Sequence, residues 1–491
     1  MTDKPALLGI DLGTSQVKAL LRTRDGAVLG QGKAGYSLTT PRIGWTEIDA
    51  TEWLRATSAA VRDAVRSYDG EIVGLTIVGQ MHGLILTDAR GNALRPAIVW
   101  LDRRSTAEVE DYLRLPQGLR TALGNCPSPG MAGPTAAWLA KHEPQIFRQA
   151  RWLLQPKDWL RMQLTGEAAS DPTDASGTLL FDMVHARWSD QTAQAMGLST
   201  DLLPPIRPSS EIAGKLQPSA ASRLALPAGL PVAIGAADTA ASVLAAALPG
   251  PRWGVLTLGT GGQWAVPVTD TEQAIGADLS GRTNLFCTVD GGAYRLAAAQ
   301  NVGVALNWVV STMRTNWEEL YDTAARDWRQ GTPLFVPYLA GERWDNVSAD
   351  EGGGAWLDMS LAHQHEDLLR SALEGVAFLL RSKLEDLHQA GGRPEKVVIA
   401  GGGSRHPGWQ RLLSEVFQLP LFSSGSSWLS ASGATLIAGV AVGLYSDWAD
   451  ATRSMAAPEL AASPVPGALA GQRYQRWRNG PGQAPPVVLR K

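Results

Sequence analysis

The sequence predicts an α/β chain of two related domains with a cleft between them, and three observations predict it. Two short segments, GIDLGTSQVK at 9–18 and LTLGTGG at 256–262, each read as an apolar strand running into a Gly-Thr turn, roughly half a chain apart. The order of strand-like and helix-like runs around the first segment is repeated loosely around the second. Near 245–252 the pattern breaks, where ALPGPRW supplies two prolines and a glycine between the halves. At 491 residues the chain is also too long for one core. We therefore expect domains at 1–245 and 246–450, followed by a C-terminal tail over 451–491.

In the first half, ALLGID, VKALLRT and AVLGQGKA read as three short strands, with Asp25-Gly26 as the hairpin turn between the second and third. Residues 45–65 carry helical periodicity, with Leu54, Val61, Ala64 and Val65 on one face and Thr57 filling the step between. EIVGLTIVGQ at 71–80 is then a buried strand. Three hairpin-connected strands, a helix and a further strand form the opening of the actin-like, ribonuclease-H-like ATPase fold, expected here twice.

In the second half RWGVLTLG and QWAVPV read as strands and residues 297–313 as a helix. A stronger helix covers 365–387, with Leu368, Leu369, Ala372, Val376 and Leu380 on one face. KVVIA at 396–400 is a short strand entering GGGSR, and helix resumes at Pro407. LSASGATLIAGVAVGL at 429–444 is a helix of small residues, suited to close packing. From about 451 the chain is Pro/Ala-rich and either packs back or frays.

Composition excludes several classes. Net charge is −3 with no basic cluster, so there is no electrostatic footprint for nucleic acid. The two cysteines, Cys126 and Cys287, lie far apart, match neither a disulfide framework nor a zinc spacing, and read as buried thiols. No run approaches the roughly 18 apolar residues of a membrane span, and the start MTDKPALLGID lacks an h-region. The expectation is a cytoplasmic protein with no membrane partner. Most of the 18 tryptophans should be packing residues.

The two Gly-Thr turns carry the chemistry. Such a turn exposes backbone N–H groups and a hydroxyl that hold phosphate oxygens, and one turn from each half would grip a phosphate chain from both sides. Asp11, Gly13, Thr14 and Ser15 are candidates for the first cradle, and Gly259, Thr260 and Gly261 for the second. Asp11 offers an oxygen ligand to Mg²⁺, directly or through water, with Asp238 the second candidate ligand. Lys18, on the following strand, is either a cofactor-side residue or a surface one. Asp238 sits between two Ala-rich runs in PVAIGAADTAASVLAAAL; it reads as a general base, with helix N-capping as its structural alternative. Met81 and His82 interrupt two strands in VGQMHGLILTD, where the imidazole either bonds a polyol or supports the fold. Gly401, Gly402, Gly403 and Ser404 form a Gly-rich loop that lets backbone approach a ligand. Together these point to ATP-dependent phosphoryl transfer, which rests on positioning and charge stabilisation.

The segments GIDLGTSQVKALL, GWTEIDATEW, VGQMHG, RPAIVWLDRR, LLQPKDWLRMQLTGEAASDPTDASGT, LTLGTGG, PYLAGER, ALEGVAF and IAGGGSR span nearly the whole chain. Together they resemble the FGGY carbohydrate kinases. QMHG, PKDWLR followed by TGE, and SDPTDASGT look like the branch that phosphorylates xylulose rather than the glycerol kinases. The resemblance implies two domains that close on ATP and a ketose or polyol, excluding water. It matches Asp238 with the catalytic base, Asp11 with the metal-side carboxylate, and Met81 and His82 with the sugar contacts. Thr260 with Gly259 and Gly261 matches the second phosphate loop, and Gly401 to Ser404 the adenosine loop. The expected partners are a small-molecule sugar and ATP, with D-xylulose going to D-xylulose 5-phosphate; a homodimer is the family's common form.

The sequence departs from the family at four places. Thr239 stands where Asn usually touches the sugar, and Ala236-Ala237 replaces glycines before the base. The GERTPH-like stretch reads GERWDNVSADEGG, gaining Trp344, and Thr135 replaces a common Lys. These put substrate identity in question, leaving ribulose, ribitol or erythritol as alternatives. Two other classes remain open: an actin-like ATPase coupled to a partner, disfavoured by QMHG and Asp238, and a sugar-binding regulator, in which the base is commonly lost.

Overall fold

A computed structural model describes residues 4–250, 252–276, 278–342, 353–426, 428–465 and 467–480. Two seven-stranded sheets organise them. The first runs in the order Ile212–Lys215, Pro231–Ala233, Ile72–Gly79, Ala6–Leu12, Gln16–Thr23, Val28–Gly35, with Ala236–Ala237 also paired to Ile72–Gly79. The second runs Asn284–Cys287, Ala293–Ala299, Gly262–Pro267, Trp253–Leu258, Lys396–Ala400, Leu421–Ser423, Glu459–Ala462. One connectivity is used twice. Ala6–Leu12 is antiparallel to Gln16–Thr23 and parallel to Ile72–Gly79, as Trp253–Leu258 is antiparallel to Gly262–Pro267 and parallel to Lys396–Ala400. Each parallel step crosses over through helix, as parallel pairing requires.

Ala6–Leu12 is buried at every position because both faces of its sheet are covered. The two-residue alternation of a strand divides its side chains. Leu8, Ile10 and Leu12 join the core under helix Ala50–Val65, while Leu7 packs with Leu436 and Ala438 of helix Leu429–Ala441. Helix Ala50–Val65 begins later than its periodicity suggests. Glu47–Ile48 pairs with Ala97–Ile98, and the Asp49 carboxylate caps the helix by accepting the Thr51 N–H at 2.9 Å. The buried face is Ala50, Trp53, Ala56, Thr57, Ala60, Val61 and Ala64; Leu54 and Val65, expected on that face with Val61 and Ala64, are only partly buried at its margin.

Residues 297–299, expected to open a helix, instead end strand Ala293–Ala299, which pairs along its length with Gly262–Pro267; helix starts only at Gly303. The expected tail packs back as far as it is described: Glu459–Ala462 extends the second sheet, and helix Ala468–Asn479 buries Tyr474 and Trp477 beside Phe378. Cys126 and Cys287 are free and half-buried rather than fully buried. Trp344 and most of the GERWDN stretch lie outside the described residues.

The halves meet through small residues. Helix Leu429–Ala441 crosses helix Asp238–Ala245 so closely that a Cβ on Gly433 would stand 2.1 Å from the Ala241 carbonyl oxygen. A second tie is made by side chains acting as a strand. The Asn125 amide donates to the Leu285 carbonyl and accepts the Leu285 N–H, both at 2.8 Å, and the Ser176 hydroxyl accepts the Cys287 N–H at 3.1 Å.

Gly433→Ala tests the helix crossing. Alanine gains up to about 1 kcal/mol of helix propensity, but forcing a methyl against backbone costs about 1–3 kcal/mol. We expect a net fall in Tm by thermal unfolding; an unchanged or raised Tm would contradict the contact.

Candidate active site

Each residue group singled out from the sequence stands just beyond, or at, the carboxyl end of a parallel strand. Asp11 to Ser15 close Ala6–Leu12, Met81 and His82 follow Ile72–Gly79, and Asp238 follows Ala236–Ala237. Gly259 to Gly261 follow Trp253–Leu258, and Gly401 to Ser404 follow Lys396–Ala400. Ligands of open α/β sheets bind at such ends. Register brings the first group together, since Leu12 pairs with Gly79 and Gly79 with Ala237.

The first turn is held from behind. The Gly13 carbonyl accepts the Tyr36 hydroxyl, and also the Gln80 amide at 3.4 Å. The Trp100 indole N–H donates to the Thr14 hydroxyl at 3.0 Å, and the Ser15 carbonyl accepts the Tyr36 N–H at 3.1 Å. Lys18 is directly opposite Asp11 in the strand pair, its ammonium 3.7 Å from the carboxylate. That contact takes Lys18 out of the class of plain surface residues.

In the second half the Thr260 carbonyl accepts the Val304 N–H at 2.9 Å, setting the exposed turn against the positive end of helix Gly303–Thr312. Gly401 needs its missing side chain: its φ is +92°, and a Cβ would lie 2.3 Å from the Leu258 carbonyl oxygen. The two glycine loops are therefore neighbours. The Ser404 hydroxyl donates to the Gly401 carbonyl at 2.8 Å, closing the second loop on itself.

Asp238 is the first residue of its helix rather than its cap; Ala237 occupies the cap position. Its carboxyl is pushed up to about 7, first by burial and then by the negative charge of Asp11. The Thr239 hydroxyl donates to it at 3.1 Å and opposes the shift, as Lys18 does more weakly. Burial also raises the Asp11 carboxyl, against the pull of Lys18. Two oxygen ligands that repel each other beside a phosphate cradle fit Mg²⁺, which takes one or two carboxylates and fills its shell with water and phosphate. Among the described residues no group of three or more His, Cys, Asp or Glu forms a metal cluster.

His82 holds a left-handed backbone, φ +72°, unusual for a residue with a side chain. Its N–H donates to the Gln155 side-chain oxygen at 3.0 Å and its Nδ1 meets the Gly177 carbonyl at 2.7 Å. A carbonyl only accepts, so Nδ1 carries a proton. The second half supplies a wall that the sequence reading missed. Phe286 lies 5.7 Å from the His82 ring, and the Tyr294 hydroxyl 4.0 Å from the Met81 sulfur. Nothing local in the sequence links these partners, which are joined only by the fold. PKDWLR and SDPTDASGT, singled out without a chemical role, form a buried ionic cluster: Lys157 lies 2.6 Å from Asp158, 2.9 Å from Asp171 and 3.1 Å from Asp174. Thr135, which stands in place of the family's common Lys, is buried in helix Ala132–His142.

Two family models match the chain: the N-terminal domain of the FGGY family of carbohydrate kinases over residues 6–245, and its C-terminal domain over residues 254–442. A xylulose kinase of Escherichia coli strain K12 is 33% identical over 442 residues, spanning 88% of this chain and 90% of that protein. Among solved structures, the xylulose kinase of Rhodospirillum rubrum aligns with a TM-score of 0.85 at 26% identity, over 96% of this chain and 98% of that one. Plasmodium falciparum glycerol kinase, solved with ADP, has the same fold, with a TM-score of 0.83 at 17% identity over 98% of each chain.

The Asp238 shift has a measurable cost. Folded, the carboxyl keeps its proton up to about pH 7; unfolded, it releases it near about 4. The folded state thus holds more protons between those values, and stability falls as pH rises through the window. Asp238→Asn removes that fall, so the Tm advantage of the variant over wild type should grow from pH 4 to 7 and then level. A pH-independent difference would contradict the shift.

Proposed function

Because this chain belongs to the FGGY family of carbohydrate kinases and is a phosphotransferase acting on a sugar hydroxyl, we propose that it phosphorylates the terminal hydroxyl of D-xylulose, giving D-xylulose 5-phosphate. Sugar kinases of this family use ATP, normally with Mg²⁺. The observation that carries the reading is Asp238, a carboxyl raised to about 7 beside Asp11 at the ends of parallel strands. A base with its pKa near the working pH combines the right protonation state with driving force for proton transfer.

In this reading the Asp238 carboxylate takes the proton of the terminal hydroxyl, and the sugar oxygen forms a bond to the γ-phosphorus as the bond to the ADP oxygen breaks. The Gly13–Ser15 and Gly259–Gly261 turns hold the phosphates, Lys18 adds positive charge beside Asp11, and the Gly401–Ser404 loop takes the adenosine. Asp11 and Asp238 would hold Mg²⁺, which supplies neutralisation of phosphate charge. Met81 and His82 orient the sugar. Closure of the halves, divided at 245/246 with residues 451–491 following the second domain, keeps water from the γ-phosphate. The reaction belongs in the cytoplasm, where ATP is supplied, and a homodimer is the working assembly.

Support for D-xylulose comes from relatives named xylulose kinase at 26–33% identity. A second reading, another ketose or a pentitol, is favoured by one contact. Thr239 points its hydroxyl at the base, at 3.1 Å, where the family's Asn would offer both a donor and an acceptor to the sugar.

Asp238→Asn should lower kcat by about 10²–10⁴-fold while the affinity for ATP stays within a few fold, read by ADP release and by calorimetry. Across a panel of ketoses, aldoses and polyols with MgATP, D-xylulose should give the highest kcat/KM. Preference for another polyol would overturn the substrate, and sugar-independent ATP turnover would overturn the kinase reading.

A further inference from the structure

We propose that Thr173 is a positioning residue for Asp238, placed at the end of a chain of contacts that starts with the ion pair of the buried Lys157 ammonium and Asp171 and continues by hydrogen bonds. The proposal rests on the reading of Asp238 as the base.

The backbone leading into Asp238 pairs with strand Ile72–Gly79 and is gripped besides at Ile234, Gly235 and Ala237. The Arg161 guanidinium donates to the Ile234 carbonyl at 2.7 Å. The Gly235 N–H donates to the Ser209 carbonyl at 3.0 Å. The Ala237 N–H, one residue before the base, donates to the Thr173 hydroxyl oxygen at 2.8 Å. Only the last grip is made by a neutral hydroxyl, and its direction is fixed from the far side. Thr173 donates its own hydroxyl proton to Asp171 Oδ2 at 2.6 Å, so its lone pairs are left for the Ala237 N–H.

Asp171 is in turn immobile. The same Oδ2 accepts the Thr173 N–H at 3.0 Å and the Ser209 hydroxyl at 2.8 Å, and Oδ1 faces the Lys157 ammonium at 2.9 Å. Lys157, Asp171, Thr173 and Ala237 have no exposed surface. Arg161, which holds Ile234, belongs to the same cluster through Asp158 at 2.8 Å. The ionic cluster and the loop before the base are therefore one hydrogen-bonded body.

Burying such charges costs more than packing apolar side chains of the same volume, so stability alone does not account for them. What the cluster supplies is direction: charge-assisted bonds are short and strongly oriented, and they end on the peptide that sets where the Asp238 carboxylate stands. Misplacing a catalytic group by about 1 Å costs about 10²-fold in rate.

Thr173→Val keeps the shape and removes the hydroxyl, and Thr173→Ser keeps the hydroxyl. The proposal expects Thr173→Val to lower kcat by about 10–100-fold, with KM for ATP within about twofold, and Thr173→Ser to stay within a few fold of wild type. Should Thr173→Val not fold, Thr173→Ala is read in the same way, and Thr173→Ser stands by itself: a soluble Ser variant with kcat lowered about 10-fold or more overturns the proposal. A Val variant with unchanged kcat, or one that loses ATP affinity in step with kcat, also overturns it. Asp238→Asn run alongside separates the two readings. An active Asn variant overturns the base and this proposal together, whereas an inactive Asn variant beside a fully active Val variant overturns the positioning role alone.

Discussion

Asp11 and Asp238 repel each other. They stand together because Ala6–Leu12, Ile72–Gly79 and Ala236–Ala237 run parallel in one register, so that chain exits far apart in sequence reach the same level. Burial raises both carboxyls, and Asp238 is raised further by the charge of Asp11. Left alone, such a pair would separate or keep its protons. The surrounding structure prevents separation, and the Asp238 carboxyl is raised by its burial first and by Asp11 second. A carboxyl poised near neutrality is what a base for a sugar hydroxyl needs, so one electrostatic conflict links the topology to the proposed chemistry.

The rest of the fold supplies restraint around that conflict. Behind the first strand, Tyr36, Gln80 and Trp100 fix the first Gly-Thr turn by hydrogen bonds to Gly13 and Thr14. Beneath the base, the helix that begins at Asp238 is clasped against helix Leu429–Ala441 at Gly433. Beside Met81 and His82, Asn125 and Ser176 bind edge strand Asn284–Cys287 of the second sheet, bringing Phe286 to His82. Strain at a site offset by rigidity around it is the usual exchange of stability for activity.

Much of this was legible in the sequence, because the signals were local. A strand ending in Gly-Thr, an acid between Ala-rich runs and a triple glycine each announce backbone close to a ligand, and each stands at a strand end. The same applies to helix Leu429–Ala441, whose small residues foretold close packing. What failed had no local signal. Ala297 to Ala299 favour helix by propensity, and only pairing with Gly262 to Trp264 makes them a strand. Phe286 and Tyr294 read as ordinary apolar residues until the second sheet carries them to Met81 and His82. Lys157, Asp158 and Arg161 look like solvated helix charges, whereas Asp171 and Asp174 bury them. Periodicity placed the helix after residue 45 too early because the Asp49 cap and the Glu47–Ile48 pairing compete with it.

The most direct test of the account is a crystal structure of the protein with MgATP replaced by a non-hydrolysable analogue and with D-xylulose bound. The account predicts a carboxylate oxygen of Asp238 within about 2.6–3.2 Å of the terminal hydroxyl oxygen, with that oxygen in line with the γ-phosphorus. A sugar whose terminal hydroxyl is bonded to another group, with Asp238 turned away from it, would contradict the account.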